Sequence, residues 1–228
     1  MSRQANFVDP VWIEKYALGH EERYPWDLVV TFLMSNAPRG ETTEARSVLE
    51  VGCGTGNNLW FAAREGFKVS GIEASPAAVE KAAARFKDDR LLGDLRVGSF
   101  CSLPFEDSSF DFVIDRAALV CVDENRQTQA IDEIHRCLKR GGKFLHNTYT
   151  TDHASIRGTE KNPNGMYGPV TKGSVAGSGE LRFVNEQEVK RLFSGSWKIN
   201  NLERRTWSDM LTNDLSWHSE WVVVVEKQ

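Results

Sequence analysis

Apolar residues recur along this chain in two rhythms. Short runs at residues 46–51, 68–72, 95–97, 110–115 and 143–148 are rich in β-branched and aromatic side chains, as strands buried in a sheet should be. Between them, apolar positions fall three and four apart. Residues 59–65 read as a helix that stops at Gly66, a residue able to adopt the left-handed cap. Ser75-Pro76 supplies an N-cap and a proline at the first helical position, and 77–86 continues that helix. Residues 123–138 place Ala130, Ile131, Ile134, Cys137 and Leu138 on one face. Asn185-x-x-Glu188 forms a capping box opening a helix through Phe193, and 197–206 and 217–226 read as two closing strands. Upstream, residues 11–34 hold Trp12, Tyr16, Leu28, Phe32 and Leu33 among polar residues, predicting one or two helices broken near Pro25, with a polar linker at 36–43. Strands alternating with helices predict an α/β domain around a mostly parallel sheet.

One stretch fits neither rhythm. Residues 150–181 hold six glycines and two prolines without periodicity, and loops of that length in a compact domain are commonly functional. They follow the fifth strand, where a ligand of an open sheet would sit. His153, Arg157, Lys161, Tyr167 and Lys172 are its candidates for lining a site, and a plain surface loop is the alternative.

The chain's most specific chemistry begins at Val48-Leu49-Glu50-Val51-Gly52-Cys53-Gly54-Thr55-Gly56-Asn57. Three alternate glycines at the carboxyl end of a buried strand let the backbone turn tightly and approach a ligand closely. Glu73 ends the next strand, 17 residues after Gly56, where a carboxylate can accept hydrogen bonds from two ribose hydroxyls. A nicotinamide-binding loop would be spaced G-x-G-x-x-G/A and would need Gly or Ala at position 57, which is Asn57 here.

The G-x-G-x-G spacing resembles the first motif of the class I S-adenosylmethionine-dependent methyltransferases. The run from Gly98 to Asp115, Glu133-Ile134, and Leu138-Lys139-Arg140-Gly141-Gly142 resemble later motifs of that family, so the likeness covers roughly residues 45–150. The resemblance implies a Rossmann-like three-layer α/β sandwich whose seven-stranded, mostly parallel sheet ends in an antiparallel hairpin. It implies one domain over 1–228: a helical cap at 1–44, a cofactor-binding core at 45–150, an acceptor lid at 151–182, and a final helix and β-hairpin at 183–228. It also implies S-adenosyl-L-methionine as methyl donor, with S-adenosyl-L-homocysteine as product. Gly52, Cys53, Gly54, Gly56 and Asn57 would pass under the amino acid part of that cofactor, and Glu50 would orient its ammonium. Glu73 and Ala74 would meet the ribose, Ser99 and Phe100 the adenine, and Asp115 and Arg116 the region where donor and acceptor meet.

Two departures from the family pattern matter. Ser99 stands where an aspartate usually accepts from the adenine amino group, and a hydroxyl makes a weaker bond than a carboxylate. Asp115-Arg116-Ala117-Ala118 replaces the Asn/Asp-Pro-Pro-aromatic run common in enzymes that methylate nucleobase amines. If the acceptor is a hydroxyl, a base helps, and His146 and His153, at and beyond the end of the fifth strand, are the catalytic candidates. Tyr167 and Arg157 are the substrate candidates, while His135 lies in a helix and His20 and His218 have no motif around them. The expected function is methyl transfer to an O- or N-nucleophile of a small metabolite or saccharide. A protein methyltransferase and a non-catalytic cofactor-binding module are the alternatives.

Composition narrows the partners. The net charge is −4, with 18 basic and 22 acidic residues in the first 150 and 10 of each in the last 78, which argues against a dedicated nucleic-acid surface. Cys53, Cys101, Cys121 and Cys137 form no C-x-x-C pair and lack the spacing of a metal site. No apolar leader is visible at 1–9 and the run at 221–225 is too short to span a bilayer, so the expected setting is cytoplasmic, without a membrane partner or metal.

Overall fold

A computed structural model describes residues 10–37, 46–211 and 217–228. The amino terminus at 1–9 and most of the linker expected at 36–43 lie outside the described residues. In chain order the elements are α1 (Pro10–Ala17), α2 (Asp27–Asn36), β1 (Ser47–Val51), α3 (Asn57–Arg64), β2 (Lys68–Glu73), α4 (Pro76–Asp88) and β3 (Asp94–Val97). There follow β4 (Phe110–Arg116), α5 (Glu124–Cys137), β5 (Leu138–Thr150), β6 (Phe183–Val184), α6 (Glu186–Leu192), β7 (Trp197–Trp207) and β8 (His218–Lys227).

The sheet runs β3-β2-β1-β4-β5-β8-β7, which gives the seven strands expected from the sequence. The two-residue β6 adds an eighth by pairing parallel to β5, and nothing in its composition signalled it. The first five strands of the order are parallel, and β8 is antiparallel to both β5 and β7. Strand order reverses between β1 and β4. In open α/β sheets that reversal leaves a crevice beyond the strands' carboxyl ends, because the following helices depart to opposite faces.

Alternation along β1 separates the two layers. Leu49 and Val51 join the core beneath α5 and α6, while Val48 joins the one beneath α2, α3 and α4. Helix α3 starts two residues earlier than expected, at Asn57, because Gly56 with φ +74° turns the loop directly into it. Leu138, expected as the end of a helix, is instead the first residue of β5 and pairs with Phe110. The next pair is Phe112 with Lys143, so residues 139–142 bulge out between them, with Gly141 at φ +75°.

Residues 150–181 are more ordered than their composition suggests. They contain a 3₁₀ turn at Ala154–Ile156 and backbone bridges joining Tyr167 to Lys161 and Leu181. Val170, Val175 and Leu181 pack with Val120, Tyr149 and Phe183 in a small core of their own. The segment is thus anchored by apolar burial over the carboxyl edge of β5.

At the opposite edge, Asp111 ties three elements together. It accepts from the Ser47 amide (2.9 Å), Arg46 Nη1 (3.0 Å) and Lys139 Nζ (2.9 Å). Burial alone would raise its pKa, but the hydrogen bonds from Ser47, Lys139 and Arg46 outweigh it and hold the carboxyl at about 2. A depressed folded-state pKa contributes stability above the unfolded value near 4, and that contribution is lost as pH falls toward 2. Asp111→Asn should therefore cost about 1.5–3 kcal/mol at pH 7, with the gap to wild type closing at pH 2 in urea titrations. An equal gap at both pH values would refute the ionic account.

Candidate functional site

The loop after β1 is shaped by its glycines. The amides of Gly52 and Cys53 both donate to the Ile72 carbonyl, at 2.8 and 3.1 Å, which ties the loop to β2. Gly52 and Gly54 lie at φ +66° and +52°, where side chains are strained. A Cβ at Gly52 would fall 2.3 Å from the Ala118 Cβ, and one at Gly54 would fall 2.5 Å from the Tyr16 hydroxyl. The loop is therefore held closely between the turn after β4 and helix α1.

Two carboxylates flank it. Glu73 is 8% exposed and accepts from the Gly54 amide through Oε2 (3.1 Å) and from the Ser75 amide through Oε1 (2.9 Å). A carboxylate has about four acceptor sites, so two remain for ligand hydroxyls. Burial raises its pKa against the opposing pull of those amides. Glu50 is 2% exposed, its Oε1 accepts from Asn58 Nδ2 (2.6 Å), and its Oε2 is buried without a partner. Burial pushes its pKa up to about 8, with Asp115 and Glu73 adding to the shift and the Asn58 bond and Arg116 opposing it. An orphaned buried carboxylate oxygen calls for a cation.

Above the loop the cleft has two connected lobes that share Trp12, Tyr16, Gly52, Arg116, Ala117 and Cys121. The first is lined by Glu73, Ala74, Phe100, Ala118 and Val122. The second, of about 460 Å³, adds Glu50, Cys53, Gly54, Asn57, Trp26, Tyr149, Ser174, Val175, Trp207 and His218. That size is ordinary for a small-molecule site. The Tyr16 hydroxyl over Gly54 is held protonated, by burial first and by the Glu73 charge second.

The structure brings most of the sequence-predicted residues to this cleft, but not all. Glu50, Gly52, Cys53, Gly54, Asn57, Glu73, Ala74, Phe100 and Arg116 line it, whereas Gly56, capping α3, is turned toward α4, where an added Cβ would meet the Ala82 Cβ at 3.0 Å. The Ser99 hydroxyl accepts from the Cys101 amide (3.2 Å). Asp115 is fully buried: its Oδ1 accepts from the amides of Ala118 (2.7 Å) and Leu119 (3.1 Å), shaping the turn that meets Gly52. Its Oδ2 meets His146 Nδ1 at 2.6 Å.

His146 lies within β5 rather than at its end, and its ring packs against Phe144 and Phe193, on the α5–α6 face of the sheet and away from the cleft. His153 is also fully buried, with Nδ1 accepting from the Ser155 amide (3.0 Å) and Nε2 3.2 Å from His218 Nδ1. Burial, and then His218, lower its pKa to about 3. Arg157 stacks on Trp217 and Tyr167 packs edge-on against Phe183, so neither side chain lines the cleft. Sequence reasoning missed Trp12 and Tyr16, four residues apart on α1, and Trp26, Trp207, Ser174 and His218. Helical spacing marks the first pair as one face, but nothing in the chain says which surface that face covers.

Residues 48–142 match a family model described as a methyltransferase domain. An uncharacterized protein of Haemophilus influenzae is 32% identical over 140 residues, which are 58% of this chain and 56% of that one. Squalene methyltransferase 1 of Botryococcus braunii is 34% identical over 101 residues, covering 42% of this chain and 26% of its own. The chain thus spans about half the length of the first relative and about a quarter of the second. A solved S-adenosylmethionine-dependent methyltransferase of Methanosarcina mazei superposes with a TM-score of 0.66 at 21% identity, covering 82% of this chain and 94% of that one. Residues 48–142 are a methyltransferase domain, and the fold around them is the Rossmann-like sandwich seen in that solved S-adenosylmethionine-dependent methyltransferase.

The residues present fit that cofactor. The unpartnered Glu50 oxygen suits an ammonium, the spare acceptor sites of Glu73 suit ribose hydroxyls, and the glycines leave room for close approach. Among the described residues, no helix is long and apolar enough to cross a membrane.

Proposed function

We propose that this protein is a cytoplasmic enzyme that transfers a methyl group from S-adenosyl-L-methionine to an O- or N-nucleophile of a small metabolite or saccharide. The observation that carries the reading is the pairing of Glu50 and Glu73 across a positive-φ glycine loop at the sheet's switch point. When bound, the cofactor supplies a methyl group on a sulfonium, already a strong leaving group. The chain's own task is then positioning, because holding reactants in line at near-attack distance removes most of the entropic barrier.

Each residue has a part in that task. Glu73 holds the ribose and Glu50 the ammonium. Phe100, Ala74 and Val122 supply the apolar walls for the adenine, with the Ser99 hydroxyl already engaged by the Cys101 amide. Arg116 donates to Asn147 Oδ1 (2.7 Å) and stacks on Trp26 at 4.1 Å, which fixes it at the junction of the two lobes. Ser174, Val175, Ala176, Ser178 and Leu181 border the second lobe as an acceptor lid.

Calorimetry with S-adenosyl-L-homocysteine tests the reading, as does passage of labelled methyl into a fractionated metabolite extract. Glu73→Ala removes an acceptor for two hydroxyls, each bond to a charged group being worth about 1.5–3 kcal/mol, so product affinity should fall about tenfold to a hundredfold or more. Unchanged affinity would remove Glu73 from the ribose site. Label that enters protein in a cell extract, and no small molecule, would point to a protein acceptor.

A further inference from the structure

The acceptor lobe holds a chain of hydrogen-bonding groups that the cofactor does not use. Ser174 Oγ lies 2.8 Å from His218 Nδ1, and His218 Nε2 lies 3.4 Å from Glu220 Oε2. Those last two atoms are buried at ion-pair distance, and neither has a hydrogen-bond partner. Ser174 is exposed on the lid, His218 stacks on Trp207 with ring centroids 4.3 Å apart, and all three of these residues line the second lobe.

The direction of this chain of groups follows from one backbone amide. The Ser155 N–H points at His153 Nδ1, so that nitrogen must be unprotonated. His153, neutral because buried, then carries its proton on Nε2, which faces His218 Nδ1 at 3.2 Å. A proton on His218 Nδ1 would meet the His153 Nε2–H head-on, so His218 Nδ1 is unprotonated and the His218 proton lies on Nε2. The His153 N–H also reaches Ser174 Oγ at 3.4 Å, which leaves the Nδ1 lone pair to the Ser174 hydroxyl. Burial opposes the Glu220 charge, but His218 and Arg116 outweigh it and keep the carboxylate below its usual range. The result is a hydroxyl on the lid, backed by an imidazole lone pair, backed in turn by a buried carboxylate.

We propose that Ser174 and His218 form the acceptor-side proton relay, oriented by His153 and Glu220, and that the methyl acceptor is an alcohol hydroxyl of a ring-shaped polyol such as a saccharide. This rests on the function proposed above and names its substrate class. An amine with a free lone pair, or a carboxylate, needs no proton removed before attack, whereas an alcohol hydroxyl does. Trp26 and Trp207, both exposed and lining the same lobe, offer aromatic surface suited to the C–H face of a sugar ring while its hydroxyls reach Ser174.

The step balances without a further reagent. The acceptor proton passes to Ser174 Oγ as the Ser174 proton passes to His218 Nδ1, while the His153 Nε2–H donates to Ser174 Oγ and so does not compete for that nitrogen. The acceptor oxygen forms its bond to the methyl carbon as the methyl–sulfur bond breaks, with that electron pair remaining on sulfur. The His218 imidazolium is held by Glu220 and returns its proton to solvent after product leaves.

The test uses the full chain, methyl-labelled S-adenosylmethionine and deproteinised, fractionated metabolites. Wild type should place label in an alkyl methyl ether: stable to mild alkali, not retained on a cation exchanger, and without ultraviolet absorbance. His218→Gln should lower kcat about 10²–10⁴-fold with KM for S-adenosylmethionine within about twofold, and added imidazole should restore part of the rate in His218→Ala. Ser174→Ala, at an exposed position that leaves the core alone, should lose about tenfold, since water can stand in for the hydroxyl.

A methyl ester, an N-methyl amine or an aryl ether as product would overturn the proposal, as would wild-type kcat in both the His218→Gln and Ser174→Ala proteins. In each of those outcomes label still moves, so the methyltransferase reading survives. Failure to bind S-adenosyl-L-homocysteine, or to label any fraction, would sink that reading and this one together.

Discussion

Gly54→Val is expected to abolish S-adenosyl-L-homocysteine binding while leaving the protein folded. Position 54 has φ +52°, where a β-branched residue is strongly disfavoured, and its Cβ would point into the cleft at the Tyr16 hydroxyl, 2.5 Å away. Tyr16 is the far end of a side chain on α1 and can yield, so the fold tolerates the change. The ligand cannot, because the added methyls occupy the space above the loop. The contrast is Gly52→Val, whose Cβ would meet the Ala118 Cβ at 2.3 Å and displace the turn held by Asp115, so there stability should fall as well. Circular dichroism with calorimetry separates the two cases. Wild-type affinity in folded Gly54→Val would place the cofactor elsewhere.

The parts of this site that were legible in the sequence are those where one residue's chemistry acts through its own backbone. The glycine triplet, Glu50 and Glu73 stand at strand ends, and a strand end in a parallel sheet has a known relation to the ligand edge. The capping box at Asn185 and Glu188 is of the same kind, and both of its hydrogen bonds are present. What the sequence hid depends on long-range packing. His218 and Ser174 are 44 residues apart and meet only because β8 inserts beside β5 while the lid folds back on Tyr149.

His146 shows the converse. Its place at the end of the expected fifth strand made it a catalytic candidate, but β5 runs on to Thr150 and period-two alternation turns its ring to the α5–α6 face with Phe144. The lid's order was hidden by its composition. Its glycines left a plain surface loop as the alternative, yet several of them serve tight turns at positive φ between the apolar anchors Val170, Val175 and Leu181.

Glu50→Gln should make the free protein more stable and the site nearly useless. Burial raises the Glu50 pKa to about 8, against an unfolded value near 4.3. A raised folded-state pKa means that the stability linked to this group is fully present below the unfolded value and is lost as pH rises through 8. Wild-type stability should therefore decline across that window, and the glutamine variant, which has nothing to ionise, should not share that decline. A gain of about 1–2 kcal/mol at pH 8 is expected, read as a rise of about 2–4 °C in Tm per kcal/mol. No gain at pH 8, or a gain equally large at pH 4.5, would show that burial does not tax the Glu50 charge.

Binding should move the other way. The unpartnered Glu50 Oε2 is the acceptor proposed for the cofactor's ammonium, and losing one partner of a buried charge pair costs about 2–5 kcal/mol, or about 30-fold to several thousandfold in affinity. Because Glu50 is mostly protonated below pH 8, the arrival of a cation should expel its proton. Calorimetry in buffers of different ionisation enthalpy should read close to one proton released per product bound at pH 6.5, falling toward zero above pH 8. In Glu50→Gln that release should vanish along with the affinity. Equal proton release from both proteins would mean that the ammonium is held elsewhere in the cleft and that the buried carboxyl serves only to brace Asn58.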